Sequence, residues 1–250
     1  MRVSLHSGTP SEARPAGATV CTALSHHCLD CPATRGDILH GLVGESSEAC
    51  QFESLAVEPR ETIPLKWFGR FTLGIVRRGL LIRQRTDARG RVTAVDVVGP
   101  GGVFPIEQRR AAAQDSSMAA GYAATRTLIC LCDGESIFSG LRAGGETALD
   151  LHNLYADALY RMERLADARA RPNTDSRVAA LLCALVDTLA PHADPTPRVP
   201  AGFLQRDLAA LLSMRHESVC RVLRSFGERG FISRDTDGMQ ILDRQQLAAV

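Results

Sequence analysis

The stretch QRDLAALLSMRHESVCRVL (residues 205–223) has the pattern of two short amphipathic helices separated by a turn. The first helix ends near Leu212, and Ser213-Met-Arg215 is short enough to join two helices that cross at a steep angle. The second helix runs from about His216 to Glu228 and is followed by Gly230, a residue type favoured at helix C-caps. The stretch therefore predicts a helix-turn-helix unit.

The second helix has two chemically different faces. At about 100° per residue, one side collects the apolar residues Val219, Val222 and Phe226. The other side carries Glu217, Cys220 and Arg221. An arginine can contact guanine, a glutamate can accept from cytosine N4, and a small side chain can pack on a thymine methyl group. We therefore predict that this face binds double-stranded DNA, with His216 at the helix start as a fourth contact residue.

A hairpin follows the second helix. It runs from Phe231 to Leu242, with a predicted turn at Asp237-Gly238, and would form the wing of a winged helix-turn-helix domain. Arginines that could contact phosphates surround this unit: Arg206, Arg215, Arg221, Arg224, Arg229 and Arg234.

Three further regions precede this domain. Residues 1–50 are predicted to be a flexible leader with a cysteine cluster, and residues 51–145 contain short strands separated by turns, typical of a sandwich or small barrel. Residues 146–172 form one long helix, and residues 173–250 form the winged domain. The predicted fold class is α+β.

The long helix carries an apolar stripe at alternating spacings of three and four. Such a stripe predicts a dimer seam, although a helix packed on its own barrel would show a similar pattern. The predicted seam residues are Leu151, Tyr155, Ala158, Met162 and Leu165.

Composition restricts where the protein acts. The net charge is +1, so any basic surface must be local. The chain has no apolar run long enough to span a bilayer, and its first twenty residues lack the apolar middle of a secretory signal. We expect a cytoplasmic protein without a membrane partner, in which the eight cysteines are mostly reduced.

The order of strand-rich roll, long helix and winged helix-turn-helix resembles the CRP/FNR family of bacterial transcription regulators. Glu217, Cys220 and Arg221 match the Glu-x-x-Ser-Arg motif of the FNR-like branch, with cysteine in place of serine. The resemblance implies a β-roll of the cyclic-nucleotide-binding type, a homodimer on a palindromic site, and contact with RNA polymerase if the protein is an activator. It does not imply an enzyme.

The nucleotide-binding residues of that family are incomplete here: Arg126-Thr127 matches its Arg-Thr element, but its Gly-Glu-Leu is missing. The region corresponding to its Gly-Glu pair reads Gly101-Gly-Val-Phe-Pro-Ile-Glu107, and no glutamate stands at the expected distance from Arg126-Thr127. A cyclic phosphate needs an arginine and backbone donors that converge on it. We therefore expect no cyclic nucleotide.

The cysteines resemble the cluster-binding cysteines of the FNR-like branch. His27-Cys28-Leu-Asp-Cys31 matches its N-terminal core, and Cys130 matches its distant ligand, with Cys132 as an alternate. The resemblance implies a 4Fe–4S cluster. Its remaining ligand would fall at Asp37, but thiolates suit such clusters better than carboxylates. We therefore expect Cys21 as the fourth ligand, with Asp37 as the alternate.

Other interpretations of the cysteines stay open. Cys28 and Cys31 could bind zinc with a neighbouring histidine or form a reversible dithiol, or the regulator could be constitutive. A metal-dependent cupin enzyme is disfavoured, because no histidine lies between Phe71 and Cys132.

Overall fold

The computed structural model describes residues 18–21, 52–63, 71–87, 89–106, 121–133, 145–189 and 198–250. Within these ranges the chain forms a two-sheet β-domain, two long helices and a C-terminal helical domain with its own small sheet. This α+β architecture confirms the predicted fold class. No helix in the described ranges is long and apolar enough to cross a membrane.

The β-domain consists of two sheets. The larger sheet has the strand order β1-β2-β8-β3-β6, and the smaller one has the order β5-β4-β7. The strands are β1 (Ala18–Cys21), β2 (Phe52–Val57), β3 (Phe71–Arg78), β4 (Leu81–Thr86), β5 (Val92–Val98), β6 (Val103–Pro105), β7 (Tyr122–Ala123) and β8 (Thr127–Asp133).

Apolar side chains fill the space between the two sheets. Val76 and Ile129 contribute from the larger sheet, and Leu81 and Val98 from the smaller one. Gly74 is required here, because a Cβ at this position would lie 2.2 Å from the ring of Phe104. The alternation of side chains along each strand gives the sheets this common core.

A buried ionic triad lies at one end of this core. Arg83 and Asp96 are direct cross-strand partners on β4 and β5, and their side chains lie 3.5 Å apart. Arg161, from the first long helix, approaches the same Asp96 oxygen at 3.4 Å and donates to the carbonyl of Val103 at 2.8 Å. Burial raises the pKa of Asp96, while the attraction of Arg161 and Arg83 opposes that shift. The triad therefore joins the helix to both sheets.

The two long helices are α1 (Gly145–Ala170) and α2 (Thr174–Leu189). One face of α1 is buried in the protomer, through Leu154, Ala158, Leu165 and Ala168. Asn173 caps α2 by accepting a hydrogen bond from the Ser176 amide at 2.8 Å.

The C-terminal domain contains α3 (Gln205–Leu212), α4 (His216–Glu228), β10 (Ile232–Asp235), β11 (Gly238–Ile241) and α5 (Arg244–Ala248). A further strand, β9 (Arg198–Pro200), pairs with β11 and completes a sheet of order β10-β11-β9. The sequence placed these three residues in a proline-rich connector. That interpretation was wrong, because the strand depends on its pairing partner in the wing.

Candidate nucleic-acid interface

The predicted helix-turn-helix is present at the expected position. Val219, Val222 and Phe226 of α4 are buried, as the periodicity of the sequence predicts. Ser213 ends α3 in the left-handed conformation, with φ of 53°, at a turn position where such units often carry glycine. The turn holds α4 against α3 and leaves Glu217 and Arg221 exposed on the opposite face of α4.

The four predicted contact residues fall into two groups. His216, Glu217 and Arg221 are exposed, whereas Cys220 is half-buried. The Cys220 thiol donates to the side-chain oxygen of Gln205 and lies 3.4 Å from Nε2 of His216. Cys220 is thus engaged within the protein, and the exposed acid and arginine are the groups best placed to reach base edges.

Gln205 is a residue that the sequence analysis did not single out. It is the first residue of α3, and its side chain reaches the exposed half of α4 through Cys220. Its amide could orient the thiol or contact DNA beside it. Only its place at the start of the first helix could have drawn attention to it.

Exposed arginines surround α4 and the wing. All six predicted phosphate-binding arginines are exposed. Arg229 stacks over the ring of Phe231, with 4.3 Å between the guanidinium carbon and the ring centroid. The hairpin turn is at Thr236-Asp237, one residue earlier than predicted, because Asp235 pairs with Gly238.

The Asp235 side chain stabilises this turn. Its Oδ1 accepts from the Asp237 and Gly238 amides at 2.9 and 3.0 Å and also pairs with Arg198 of β9. The hydrogen bond from Arg198 holds the pKa of Asp235 below its usual value. The shape of the wing is therefore tied to β9.

The predicted dimer seam divides between two faces of α1. Ala158 and Leu165 are buried within the protomer, and Leu151 is half-buried. Tyr155 and Met162 are exposed. With Leu159, which is also exposed, they form a stripe at spacings of four and three that continues from Leu151. The apolar stripe that a second chain could contact is thus rotated away from the predicted one.

The predicted cluster residues are only partly described. Cys28, Cys31 and Asp37 lie outside the described residues, and Cys21 is the last residue of β1. Cys130 and Cys132 are buried on β8. Phe52 pairs with both Cys21 and Cys132, so these two cysteines share one row across the sheet. Two strand spacings place their Cα atoms about 10 Å apart.

Cys130 lies two residues before Cys132 on β8 and therefore on the same face of the sheet. Its sulfur is 3.9 Å from the Ser54 hydroxyl. Within the described part of the chain, no group of three or more His, Cys, Asp or Glu side chains could hold a metal ion. A complete ligand set would therefore need the cysteines outside it.

A second functional feature was also missed in the sequence. Asp207, on α3, accepts hydrogen bonds from Arg60 and Tyr122 of the β-domain at 2.7 and 2.6 Å. The same carboxylate accepts from the Leu204 amide at 2.7 Å. The start of the helix-turn-helix is thus attached directly to the β-domain.

Comparison with known proteins agrees with this geometry. Residues 176–250 match the Crp-like helix-turn-helix domain family. This Crp-like domain covers α2, the helix-turn-helix and the wing. No curated protein matches the sequence.

Solved structures extend the likeness to the rest of the fold. FixK2 from Bradyrhizobium japonicum is 19% identical, with a TM-score of 0.60, over 78% of this chain and 95% of its own. A CRP-family transcriptional regulator from Thermus thermophilus is 21% identical, with a TM-score of 0.56, over 78% of this chain and 96% of its own. A CooA variant from Carboxydothermus hydrogenoformans is 14% identical, with a TM-score of 0.59, over 93% of this chain and 96% of its own. The chain has the fold of a CRP/FNR-type transcription regulator.

Proposed function

We propose that this protein is a homodimeric, sequence-specific DNA-binding transcription regulator. The observation that carries the proposal is the exposed face of α4, where Glu217 and Arg221 project from a buried helix-turn-helix core within the Crp-like domain. A solved neighbour with the same fold is a CRP-family transcriptional regulator.

The chemistry of this face suits base recognition. The guanidinium of Arg221 can donate two hydrogen bonds to a guanine, and the Glu217 carboxylate can accept from the amino group of a cytosine. The exposed arginines around α4 and the wing can neutralise phosphates, which would set affinity and register without reading sequence. An activator would in addition contact RNA polymerase.

Dimerisation is proposed to occur through the exposed stripe of α1. Leu159 is 57% and Met162 39% exposed, a large apolar surface for one helix face. Burying the exposed part of these side chains against a second copy would stabilise a dimer by about 0.6–1.7 kcal/mol per side chain, in proportion to their exposure. Two Crp-like domains would then face a palindrome, with their recognition helices about one DNA turn apart.

Met162→Glu tests the dimer and the DNA-binding function together. The wild-type protein is expected to select an inverted repeat from random-sequence duplexes, with half-sites centred about 10 base pairs apart. Met162→Glu would place two carboxylates in the seam, so the dimer should dissociate at least tenfold more readily in sedimentation equilibrium, a change of about 1.4 kcal/mol. Its preference for the full repeat over one half-site should disappear.

Leu149→Glu is the matched control, because Leu149 is another exposed apolar residue of α1. It lies about 140° around the helix from Met162. This variant should remain a dimer. Equal effects of the two substitutions would contradict the seam, and a wild-type protein that selects no DNA sequence would contradict the proposed function.

We propose in addition that oxygen or redox state switches DNA binding through a 4Fe–4S cluster. Cys28, Cys31, Cys130 and Cys21 would hold the cluster, with Asp37 and Cys132 as alternate ligands. The proposal is supported by Cys21, Cys130 and Cys132 lying in one sheet, in which Cys21 of β1 and Cys132 of β8 flank Phe52 of β2. Such a cluster would supply an oxygen-labile crosslink between the N-terminal segment and the β-domain.

Anaerobic purification tests the cluster. The protein is expected to be brown, with iron and acid-labile sulfide and a broad visible absorbance that bleaches in air. Cys28→Ala should lose both the colour and the response of DNA binding to oxygen. Cys183→Ala is the control, since Cys183 is a buried cysteine of α2 outside the proposed ligand set.

A protein that stays colourless after attempted reconstitution would exclude the cluster. Bound zinc, a thiol response that Cys28→Ala abolishes, or redox-insensitive DNA binding would then identify which of the other three interpretations holds.

A further inference from the structure

The contact between the β-domain and α3 includes a polar clamp of three residues, Arg60, Tyr122 and Asp207, beside apolar packing of α3 on β5. The guanidinium of Arg60 meets the Asp207 carboxylate with two hydrogen bonds, at 2.7 and 2.9 Å. It also donates to the carbonyl of Gly202 at 2.6 Å. The Tyr122 hydroxyl donates to the same carboxylate at 2.6 Å. All these bonds join the β-domain to the C-terminal domain.

The clamp is built around a buried charge. The Asp207 side chain is only 1% exposed, and that of Arg60 is 27% exposed. A carboxylate removed from water to this degree is stable only when it is fully paired. Burial and the hydrogen bond to Asp207 raise the pKa of Tyr122, so its hydroxyl remains a donor. The buried Asp207 carboxylate therefore strongly favours the arrangement in which α3 contacts Arg60 and Tyr122 of the β-domain.

The β-domain side of the clamp is pre-organised. Arg60 has a φ of 73°, an unfavourable conformation for a residue with a side chain. Its amide donates to the carbonyl of Ala123 at 2.7 Å, and its guanidinium carbon lies 5.6 Å from the centre of the Tyr122 ring. Contacts within the β-domain thus hold the two donors side by side.

The C-terminal side of the clamp lies at the start of the helix-turn-helix. Asp207 is the third residue of α3, and its Oδ2 also accepts from the Leu204 amide. The carboxylate that caps the helix is therefore the one that the β-domain holds. A shift of β7 or of the turn at Arg60 would move the start of α3 with it.

We propose that Arg60 and Tyr122 are positioning residues for DNA binding, which fix the orientation of the helix-turn-helix relative to the β-domain. This inference rests on the proposed function. In a dimer, a fixed orientation holds the two recognition helices at one separation, so the second half-site binds without a further loss of rotational freedom. Binding to one half-site does not depend on that separation.

The test uses the full-length protein and two duplexes, the inverted repeat selected by the wild type and a duplex with one half-site. Arg60→Met should weaken binding to the repeat by about tenfold or more, because the preset orientation is lost. Its affinity for the single half-site should stay within about twofold of the wild type. Tyr122→Phe removes only one hydroxyl. It should lower the affinity for the repeat relative to that for the half-site as Arg60→Met does, but by a smaller factor.

Arg91→Met is the matched control. Arg91 also pairs with an aspartate, Asp87, but on an exposed hairpin within the β-domain. It should bind both duplexes as the wild type does. Unfolding midpoints of all variants separate a change of orientation from loss of the fold, and Tyr122→Phe remains informative if Arg60→Met does not fold.

Three outcomes overturn the proposal: unchanged affinity for the repeat, increased affinity for it, or an equal loss on both duplexes. If the wild type selects no DNA, the proposed function is what fails. In that case, backbone amide hydrogen exchange across residues 204–212 tests the clamp. The exchange should be at least about tenfold faster in Arg60→Met than in Arg91→Met. Equal exchange rates overturn it.

Discussion

Arg221→Ala is expected to weaken binding to the selected DNA site by about 30- to 10⁴-fold. One bidentate arginine–guanine contact contributes about 1–3 kcal/mol of discrimination. A dimer has two such contacts, so the loss is about 2–6 kcal/mol, with tenfold in affinity for each 1.4 kcal/mol. Arg221 is exposed on α4, so the fold should not change.

Competition binding against random-sequence DNA measures this effect. Arg221→Ala should keep most of its non-specific affinity, because only one of several exposed arginines is removed. The salt dependence of binding should change by about one phosphate contact per subunit or less. Arg91→Ala, on the exposed β4–β5 hairpin of the β-domain, is the control. If both variants retain wild-type specificity, α4 does not read bases through Arg221.

Asp96→Ala is expected to lower the free energy of unfolding by about 3–5 kcal/mol, because removing one partner of a buried charge cluster leaves the others uncompensated. The Asp96 side chain is only 1% exposed, and Arg83 and Arg161 are also largely buried. Within the described residues, Oδ1 of Asp96 has no hydrogen-bond partner. The cluster therefore depends on its charges being present together. Urea unfolding followed by circular dichroism measures the loss.

A triple substitution separates the cost of unpaired charge from the value of the cluster. Arg83→Met, Asp96→Val and Arg161→Met together remove all three charges and put apolar side chains in their place. Such a replacement is often neutral or stabilising, so this variant should unfold at a urea concentration close to that of the wild type. Asp87→Ala removes an exposed ion pair with Arg91 and the hydrogen bonds from the Arg89 and Arg91 amides, and it should still have a much smaller effect than Asp96→Ala. Similar losses for Asp87→Ala and Asp96→Ala would refute the role of burial.

The helix-turn-helix was predictable because its information is local. The period of an α-helix places Val219, Val222 and Phe226 on one side of α4 and Glu217 and Arg221 on the other, and the structure has this arrangement. The half-burial of Cys220 could not be predicted in the same way. It depends on Gln205, which another helix supplies.

The long helix shows the limit of periodicity. Spacings of three and four identify an apolar surface on α1, but that surface is wide enough to include two neighbouring faces. Ala158 and Leu165 pack within the protomer, whereas Tyr155 and Met162 are exposed. The rotation of the helix about its own axis is set by what it packs against.

Strand β9 and the clamp could not be predicted from local sequence either, because both depend on partners far away in the chain. Arg198-Val-Pro200 has little strand character of its own and is ordered by pairing with β11. Asp207 resembles an ordinary helix-start aspartate, yet its partners Arg60 and Tyr122 are distant in the sequence.

Side-chain periodicity over a few residues was enough to predict the order of the strand-rich region, the long helix and the helix-turn-helix, and also the polar face of α4. It could not predict which part of the α1 stripe is exposed, where Cys220 is engaged, or how the β-domain contacts α3. Those features depend on contacts between residues far apart in the chain. Their burial and pairing energies exist only once the domains have packed.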